Sequence, residues 1–233
     1  MSPPIRNAPG ARPSGDGAEV ILVWDLPTRL FHWLAVALVI AAYATFRMDW
    51  MVWHARAGYA LLALLAFRLA WGFFGAETAR FRSFVASPSR ALRHLGDVLR
   101  EGPDEHVGHN PAGGWMVLLL LALLLGQTLT GVYVDNDIAD QGPLSDVTPA
   151  GLANAINAMH DVYLWDALLA AIAVHVLAIL AYAAKGRNLA APMITGRMRA
   201  AKSMRAPTRA SLTRALLLFA CSAVLAAGLA HFL

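Results

Sequence analysis

The chain has 233 residues, of which 58% are hydrophobic and 15% are charged, and its mean hydropathy is +0.52. Several apolar runs approach the ~20 residues that a helix needs to cross a bilayer, so this composition excludes an ordinary soluble domain and predicts an integral membrane protein that is nearly all helix. The net charge of +4 indicates basic cytoplasmic loops and not a nucleic-acid partner, because Lys and Arg concentrate on that side of a membrane.

The first 20 residues are predicted to form a disordered cytoplasmic tail. Four prolines stand there among Gly, Ala and Ser, and no apolar region follows a basic start, so we do not expect a cleaved signal peptide. The first membrane span then runs from about Asp25 to Phe46, because Asp25 and Pro27 form a helix start. This span carries His32.

The second span is predicted from about Trp53 to Phe74, and it carries His54 and Arg68. A long basic segment, Gly75 to Gly114, follows it and contains a short amphipathic surface helix with the sequence SPSRALRHLGDVLR. The third span, Trp115 to Val134, begins after an Asn-Pro start and has no histidine.

The fourth span is predicted from Met159 to Lys185 and carries two histidines, His160 and His175. A basic segment and a fifth apolar run, Ala215 to Leu233, complete the chain. We therefore expect a core domain at 21–199 and a basic linker with a fifth transmembrane helix at 200–233.

Positive charge predicts the orientation of these spans. The segments Gly75–Gly114 and Lys185–Arg214 are basic, whereas the loop between spans three and four carries four aspartates and no Lys or Arg. Because Lys and Arg mark the cytoplasmic side, the N-terminus is expected in the cytoplasm and the C-terminus, after span five, in the periplasm.

The spacing of the two histidines in span four is informative. An imidazole in hydrocarbon is costly, so an intramembrane histidine suggests a functional site. His160 and His175 are 15 residues apart, which on an α-helix is a rise of about 22 Å and a rotation of about 60°. Both therefore lie on nearly one face, one close to each membrane surface.

Depth then pairs the four histidines across helices. Span two re-enters from outside, which puts His54 at the level of His160, and span one enters from the cytoplasm, which puts His32 near the level of His175. Two imidazole pairs at opposite levels are what two non-covalent bis-histidine haems require. The alternative is that these are scattered polar residues bonding across helices. Covalent haem attachment and a Cys-ligated cluster are excluded, because Cys221 is the single cysteine.

Three further residues are candidate cofactor contacts. Arg68 follows His54 by 14 residues, about 21 Å further in, where haem propionates would need a cation; alternatively it snorkels to lipid phosphates. Gly58 and Gly131 would permit close approach of a flat macrocycle, although small residues also serve plain helix packing.

The remaining histidines are weaker candidates. His94 is expected to be solvated on the surface helix. His106 and His109 are expected to cap the third span or contact headgroups, with the alternative that His109 lies near the inner haem and helps to protonate a bound quinone.

The assembled motifs resemble the bacterial cytochrome b561 family, which is related to the cytochrome b subunits of nickel–iron hydrogenases and formate dehydrogenases. The resemblance covers about Val23 to Arg199 and rests on VWDLPTRLFHW, HARAGYALLALLAFRLAWG, GHNPAGGWM, QTLTG and the histidine pair of span four. It implies a four-helix core with two b haems and ligand roles for His32, His54, His160 and His175. The fifth helix departs from the family pattern.

The predicted function is a membrane electron carrier of the bacterial inner membrane. The resemblance implies single-electron transfer between the two haems, a quinone near the inner one, and a periplasmic c-type cytochrome or a dehydrogenase or hydrogenase subunit as partner. Whether the chain also forms part of a quinone-linked oxidoreductase stays open. The alternatives are a small transporter or proton channel, which would need a continuous polar path, and a haem-free membrane anchor subunit.

Overall fold

Long apolar helices make up most of the protein in the computed structural model, which describes residues 18–100, 106–134, 144, 148–201 and 204–232. In chain order the elements are β1 (Ala18–Leu22), α1 (Leu26–Arg47), α2 (Met51–Phe74), a 3-10 turn (Glu77–Ala79), α3 (Phe81–Phe84), α4 (Pro88–Arg100), α5 (Pro111–Gly131), α6 (Ala150–Ala158), a π-helical turn (Met159–Tyr163), α7 (Leu164–Ala184), α8 (Ala190–Thr195), β2 (Arg197–Ala201) and α9 (Leu212–Phe232).

Five helical stretches among the described residues are long and apolar enough to cross a membrane. They are α1, α2, α5, the continuous stretch from α6 through the π-helical turn to α7, and α9. This confirms the predicted all-α membrane fold with four spans and an additional C-terminal helix. The amphipathic surface helix predicted between spans two and three is α4.

Two of the spans begin where their capping residues predicted. The Asp25 carboxylate accepts a hydrogen bond from the backbone N–H of Thr28 (3.1 Å), and proline follows in the first turn of α1. The Asn110 side chain accepts from the Gly113 N–H (2.7 Å) at the start of α5, again with proline directly behind it. Each cap satisfies an N–H that has no partner within the helix.

The fourth span differs from the single helix predicted from Met159 to Lys185. It runs over Gly151–Ala184, 34 residues, which at the α-helical rise is about 51 Å and exceeds a hydrocarbon core of about 30 Å. The N–H of Leu164 donates to the Met159 carbonyl, five residues earlier, which defines the π-helical turn. A π turn holds one more residue than an α turn, so the rotation predicted between the two histidines of this span applies only approximately.

A short two-stranded sheet was not predicted. β1 pairs antiparallel with β2, with Ala18 opposite Ala201 and Leu22 opposite Arg197. The predicted disordered tail at 1–20 is therefore wrong for residues 18–20, which lie in β1; residues 1–17 lie outside the described part of the chain. β2 also runs across the predicted boundary between 199 and 200. Its register depends on long-range pairing, which no local pattern in either segment indicates.

The core is centred on α2. One buried cluster joins α2 to α1, α5 and α7 and consists almost entirely of leucine, with Leu65 and Leu168 nearly fully buried. A second cluster joins α2 to α9 through Phe67, Trp71 and Ala215. α9 thus packs on the side of α2 and extends the bundle without entering the four-span core.

Candidate functional site

The four predicted histidines form two pairs at opposite ends of the bundle. The imidazole of His54 on α2 lies beside that of His160 in the π-helical turn, with ring centres 6.3 Å apart and planes at 90°. The imidazole of His32 on α1 lies beside that of His175 on α7, with ring centres 6.5 Å apart and planes at 54°. These are the two pairs that membrane depth predicted.

Both separations suit a metal held between two imidazoles. A metal bound in a straight line lies about 2 Å from each ligating nitrogen, which puts the two ring centres about 6.4 Å apart. The observed 6.3 and 6.5 Å match that spacing. If a haem binds, each pair would supply the two ring nitrogens that hold its iron.

The rings of His54 and His160, named the outer pair after the predicted orientation, are held by backbone carbonyl groups. Nδ1 of His54 lies 2.9 Å from the Ala42 carbonyl oxygen, and Nδ1 of His160 lies 2.9 Å from that of Gln127. A carbonyl oxygen only accepts, so each Nδ1 carries the proton and each Nε2 keeps a free lone pair. This is the arrangement found for metal-binding histidines, whose second nitrogen donates to an outer partner.

Helix α5 supplies a second contact to His160. The side-chain amide of Gln127 donates to the His160 carbonyl oxygen (2.9 Å), and the Thr130 hydroxyl lies 3.2 Å from Nδ1 of the same ring. No role was predicted for Gln127 or Thr130 from the motif QTLTG. The feature that could have indicated one is the presence of an amide and a hydroxyl group inside an otherwise apolar span.

The two candidate glycines have different surroundings. A Cβ on Gly131 would lie 2.8 Å from Cε1 of His160, which is too close for any ordinary contact, so this position must be glycine for the ring to keep its place. A Cβ on Gly58, one turn after His54, would have nothing within 4 Å. Gly131 thus makes room for the imidazole, and Gly58 borders open space beside the outer pair.

His32 and His175, named the inner pair after the predicted orientation, have fewer hydrogen-bond partners. Nδ1 of His32 is buried and has no hydrogen-bond partner among the described residues. The His32 ring packs edge-on against Trp33, at 4.8 Å between ring centres. The indole of Trp33 donates to the Met193 carbonyl oxygen (3.2 Å), which ties this end of α1 to α8.

Arg68 is buried at the inner end of α2 and is 2% exposed. Its guanidinium donates to the Ala79 carbonyl oxygen (3.2 Å) and lies 5.8 Å from the Phe31 ring and 5.3 Å from the Phe81 ring. Because it is enclosed by these groups, snorkelling to lipid phosphates does not describe it. A propionate contact remains a prediction, and the position next to the His32 turn of α1 suits it.

His109 was expected to cap the third span or to contact lipid headgroups, but it is buried between two aromatic side chains. Its ring lies between those of Trp24 and Phe84, at 4.6 Å from each, and its Nδ1 is buried without a hydrogen-bond partner among the described residues. Burial, and then electrostatic repulsion from Arg68 and His175, together lower the pKa of His109 to about 3. His109 thus belongs to the surroundings of the inner pair.

The expectation of a solvated His94 is also wrong. This residue is 7% exposed, and its ring packs edge-on against that of His106 at 5.4 Å between centres. The two histidines join α4 to the segment before α5.

One protein family matches most of the chain. The sequence model of the family described as prokaryotic cytochrome b561 matches residues 23–196, which is more than half of the chain. The matched range contains both histidine pairs and Arg68 and ends before β2 and α9. No curated protein and no solved structure gave a significant match.

Proposed function

The chain belongs to the prokaryotic cytochrome b561 family, and from that premise we propose that His54 with His160 and His32 with His175 each hold one b haem. Membership implies a multi-pass membrane protein with b-type haems that transfers electrons. The observation that carries the proposal is the pairing of four intramembrane imidazoles, with ring centres 6.5 and 6.3 Å apart. When bound, a haem iron takes up and releases single electrons.

The chain's own residues fix the axial ligands and their surroundings. The carbonyl groups of Ala42 and Gln127 hold the outer imidazoles through Nδ1, which leaves Nε2 of each ring available to a metal. An outer partner of this kind also raises the basicity of a ligand. At the inner site, Arg68 supplies a buried positive charge that would hold propionate groups by charge-assisted hydrogen bonds.

The proposed physiological role is to link the quinone pool to a periplasmic redox partner, such as a c-type cytochrome or a dehydrogenase or hydrogenase subunit. One electron moved between the levels of the two pairs crosses about 22 of about 30 Å of hydrocarbon, so a potential of about 100 mV changes the free energy of that step by about 1.7 kcal/mol. A negative interior favours outward movement.

A quinone site near the inner pair is supported by His109 and its cavity. A cavity of about 180 Å³ is lined by Thr78, Phe84, Gly108 and His109, among others. A neutral imidazole there has one N–H and one free ring nitrogen, so it can relay a proton when a quinone is reduced or a quinol oxidised. The proposed orientation, with this side in the cytoplasm, is supported by the basic segments 75–114 and 185–214.

The transporter alternative lacks support in the bundle interior. The buried cluster between the two histidine pairs contains Ala35, Leu61, Leu65, Leu121 and Leu168, and these apolar side chains interrupt any polar path along it. A proton or solute pathway would need polar groups at this level.

Purification of the full chain tests the proposal. We expect a dithionite-reduced spectrum with a b-type band, and two haems per chain by haem extraction and protein quantification. A purified, monodisperse protein without that band, or with well below two haems per chain, would contradict it. Reduction by a quinol in membranes then tests the quinone link separately.

A further inference from the structure

We propose that the inner side of the protein carries a binding site for the phosphate group of an anionic phospholipid. The site is an open cavity of about 320 Å³ where α2 ends and α9 begins. It is lined by Glu77, Arg80, Arg82, Ser83, Arg205 and Thr208. The proposal is independent of haem binding.

The charge of this cavity favours an anion. Three guanidinium groups and one carboxylate line it, which gives a net charge of 3 − 1 = +2. The carboxylate of Glu77 is already engaged, because it accepts from Arg205 (2.9 Å) and from the backbone N–H of Thr208 (2.8 Å). The charges of Arg80 and Arg82 are thus the ones left for a ligand.

These two arginines are arranged to receive a phosphate. Nε of Arg80 donates to the Gly75 carbonyl oxygen (2.7 Å), which orients its guanidinium. The side chain of Arg82 is exposed and makes no hydrogen bond within the part of the chain that the structure describes. Guanidinium groups bind phosphate oxygens in a bidentate manner, so such a pair suits a phosphate monoanion or dianion.

The level of the cavity favours a lipid over a free phosphate. Phe73 and Phe74, the last residues of α2, are 67% and 60% exposed, and Leu212, the first residue of α9, is 57% exposed. These apolar side chains mark the end of the hydrocarbon region, and acyl chains would lie against them. Basic pockets at this depth bind the head groups of anionic lipids.

The site depends on the chain beyond the family match. Arg205 and Thr208 follow residue 196, where the match ends. The Glu77 N–H donates to the Thr208 carbonyl oxygen (3.0 Å), and Arg214 donates to the Phe74 carbonyl oxygen (3.1 Å), so the linker before α9 closes one wall of the cavity. The proposed lipid site is therefore formed in part by the segment that leads into the fifth helix.

A lipid titration of the full chain in neutral detergent tests this. Phosphatidylglycerol, phosphatidylcholine and inorganic phosphate are added separately, and bound lipid is counted by native mass spectrometry. Each arginine near a lipid surface strengthens binding about fivefold, so we expect Arg82→Gln to weaken phosphatidylglycerol binding about fivefold and Arg80→Gln/Arg82→Gln on the order of 25-fold. The matched control, Arg90→Gln/Arg93→Gln on α4, removes the same charge from the same side and should bind as the unaltered protein does.

Three outcomes would overturn the proposal. They are equal binding of phosphatidylcholine, unchanged phosphatidylglycerol binding in the Arg80→Gln/Arg82→Gln variant, and full competition by millimolar inorganic phosphate. Size-exclusion profiles identify a variant that fails to fold, and Arg82→Gln alone, which breaks no hydrogen bond among the described residues, then serves for the comparison.

Discussion

The two histidine pairs of this protein share a spacing but differ in how their rings are held. In the outer pair both Nδ1 atoms face backbone carbonyl oxygens at 2.9 Å, and glycine at 131 gives the His160 ring its space. In the inner pair the Nδ1 of His32 has no such partner among the described residues, and the surroundings contain a buried cation, Arg68.

This difference indicates how one bundle can give two redox centres different properties. A carbonyl partner on Nδ1 makes an imidazole a more basic ligand, which stabilises ferric iron. A buried cation favours the additional electron of ferrous iron. We therefore expect the outer haem to have the lower reduction potential, and the following predictions test that contrast.

The largest effect is expected from removing one ligand. His160→Ala should remove the outer haem and leave the inner haem in place, because only the outer pair loses its second nitrogen. Haem content should fall from two to one per chain, with one wave remaining in a redox titration. Retention of two haems would show that His160 is not a ligand. His106→Ala, which changes a histidine outside both pairs, is the control.

A smaller effect is expected from Gly131→Ala. The added methyl group would lie 2.8 Å from Cε1 of His160 and must displace the ring. We expect about tenfold or greater weakening of outer haem retention, as for other changes next to a ligand, measured by haem loss during dilution in detergent.

The control for this change lies on the same helix. A Cβ on Gly126 would meet only Leu164 methyl groups, at 3.4 Å, so Gly126→Ala should retain haem normally. Equal haem loss from both variants would mean that α5 packing, and not the His160 ring, accounts for the effect.

Arg68→Gln is expected to change a potential without removing a haem. Loss of a buried positive charge beside the inner pair should lower the inner reduction potential by on the order of 60 mV, which corresponds to tenfold in a one-electron equilibrium. The outer potential should stay constant. Arg68→Lys keeps the charge, so its inner potential should lie between those of Arg68→Gln and the unaltered protein. Arg56→Gln, which changes an exposed arginine of the same helix, should change neither the inner nor the outer potential. An unchanged inner potential in Arg68→Gln would contradict this role.

The smallest effect concerns Glu77 at the inner surface. The backbone N–H of Thr208, then its side chain and Arg205, lower the pKa of Glu77 below its ordinary value of 4.5. Since the lowered pKa belongs to the folded state, the stabilisation is present above pH 4.5 and is lost as the pH falls through the lowered value. Glu77→Gln should therefore unfold at a slightly lower temperature than the unaltered protein at pH 7, and this difference should shrink as the pH falls below 4.5. Glu19→Gln, an exposed acid in β1, should match the unaltered protein over the same pH range.

Much of this architecture was predictable because its signals are local. Hydropathy locates a span from about twenty consecutive residues, and capping residues such as Asp25 and Asn110 set its start. Once the spans are located, the membrane depth of a residue in one span can be compared with that of a residue in another. Histidines from three different spans could therefore be paired without any contact information.

The features that were missed depend on distant parts of the chain or on backbone geometry. The pairing of β1 with β2 joins residues some 180 positions apart, and the π-helical turn has no sequence signature in MHDVY. His109 resembled an interfacial residue because it precedes a span. Only the packing of Trp24 and Phe84 around it shows that it is buried.

The most direct test of the account is the haem content of two double variants. His54→Ala/His160→Ala removes both members of the outer pair, and we predict that it retains one haem per chain. His54→Ala/His175→Ala removes one member from each pair, and we predict that it retains none. Equal haem content in the two variants, in folded protein of the same size-exclusion profile, would contradict the pairing.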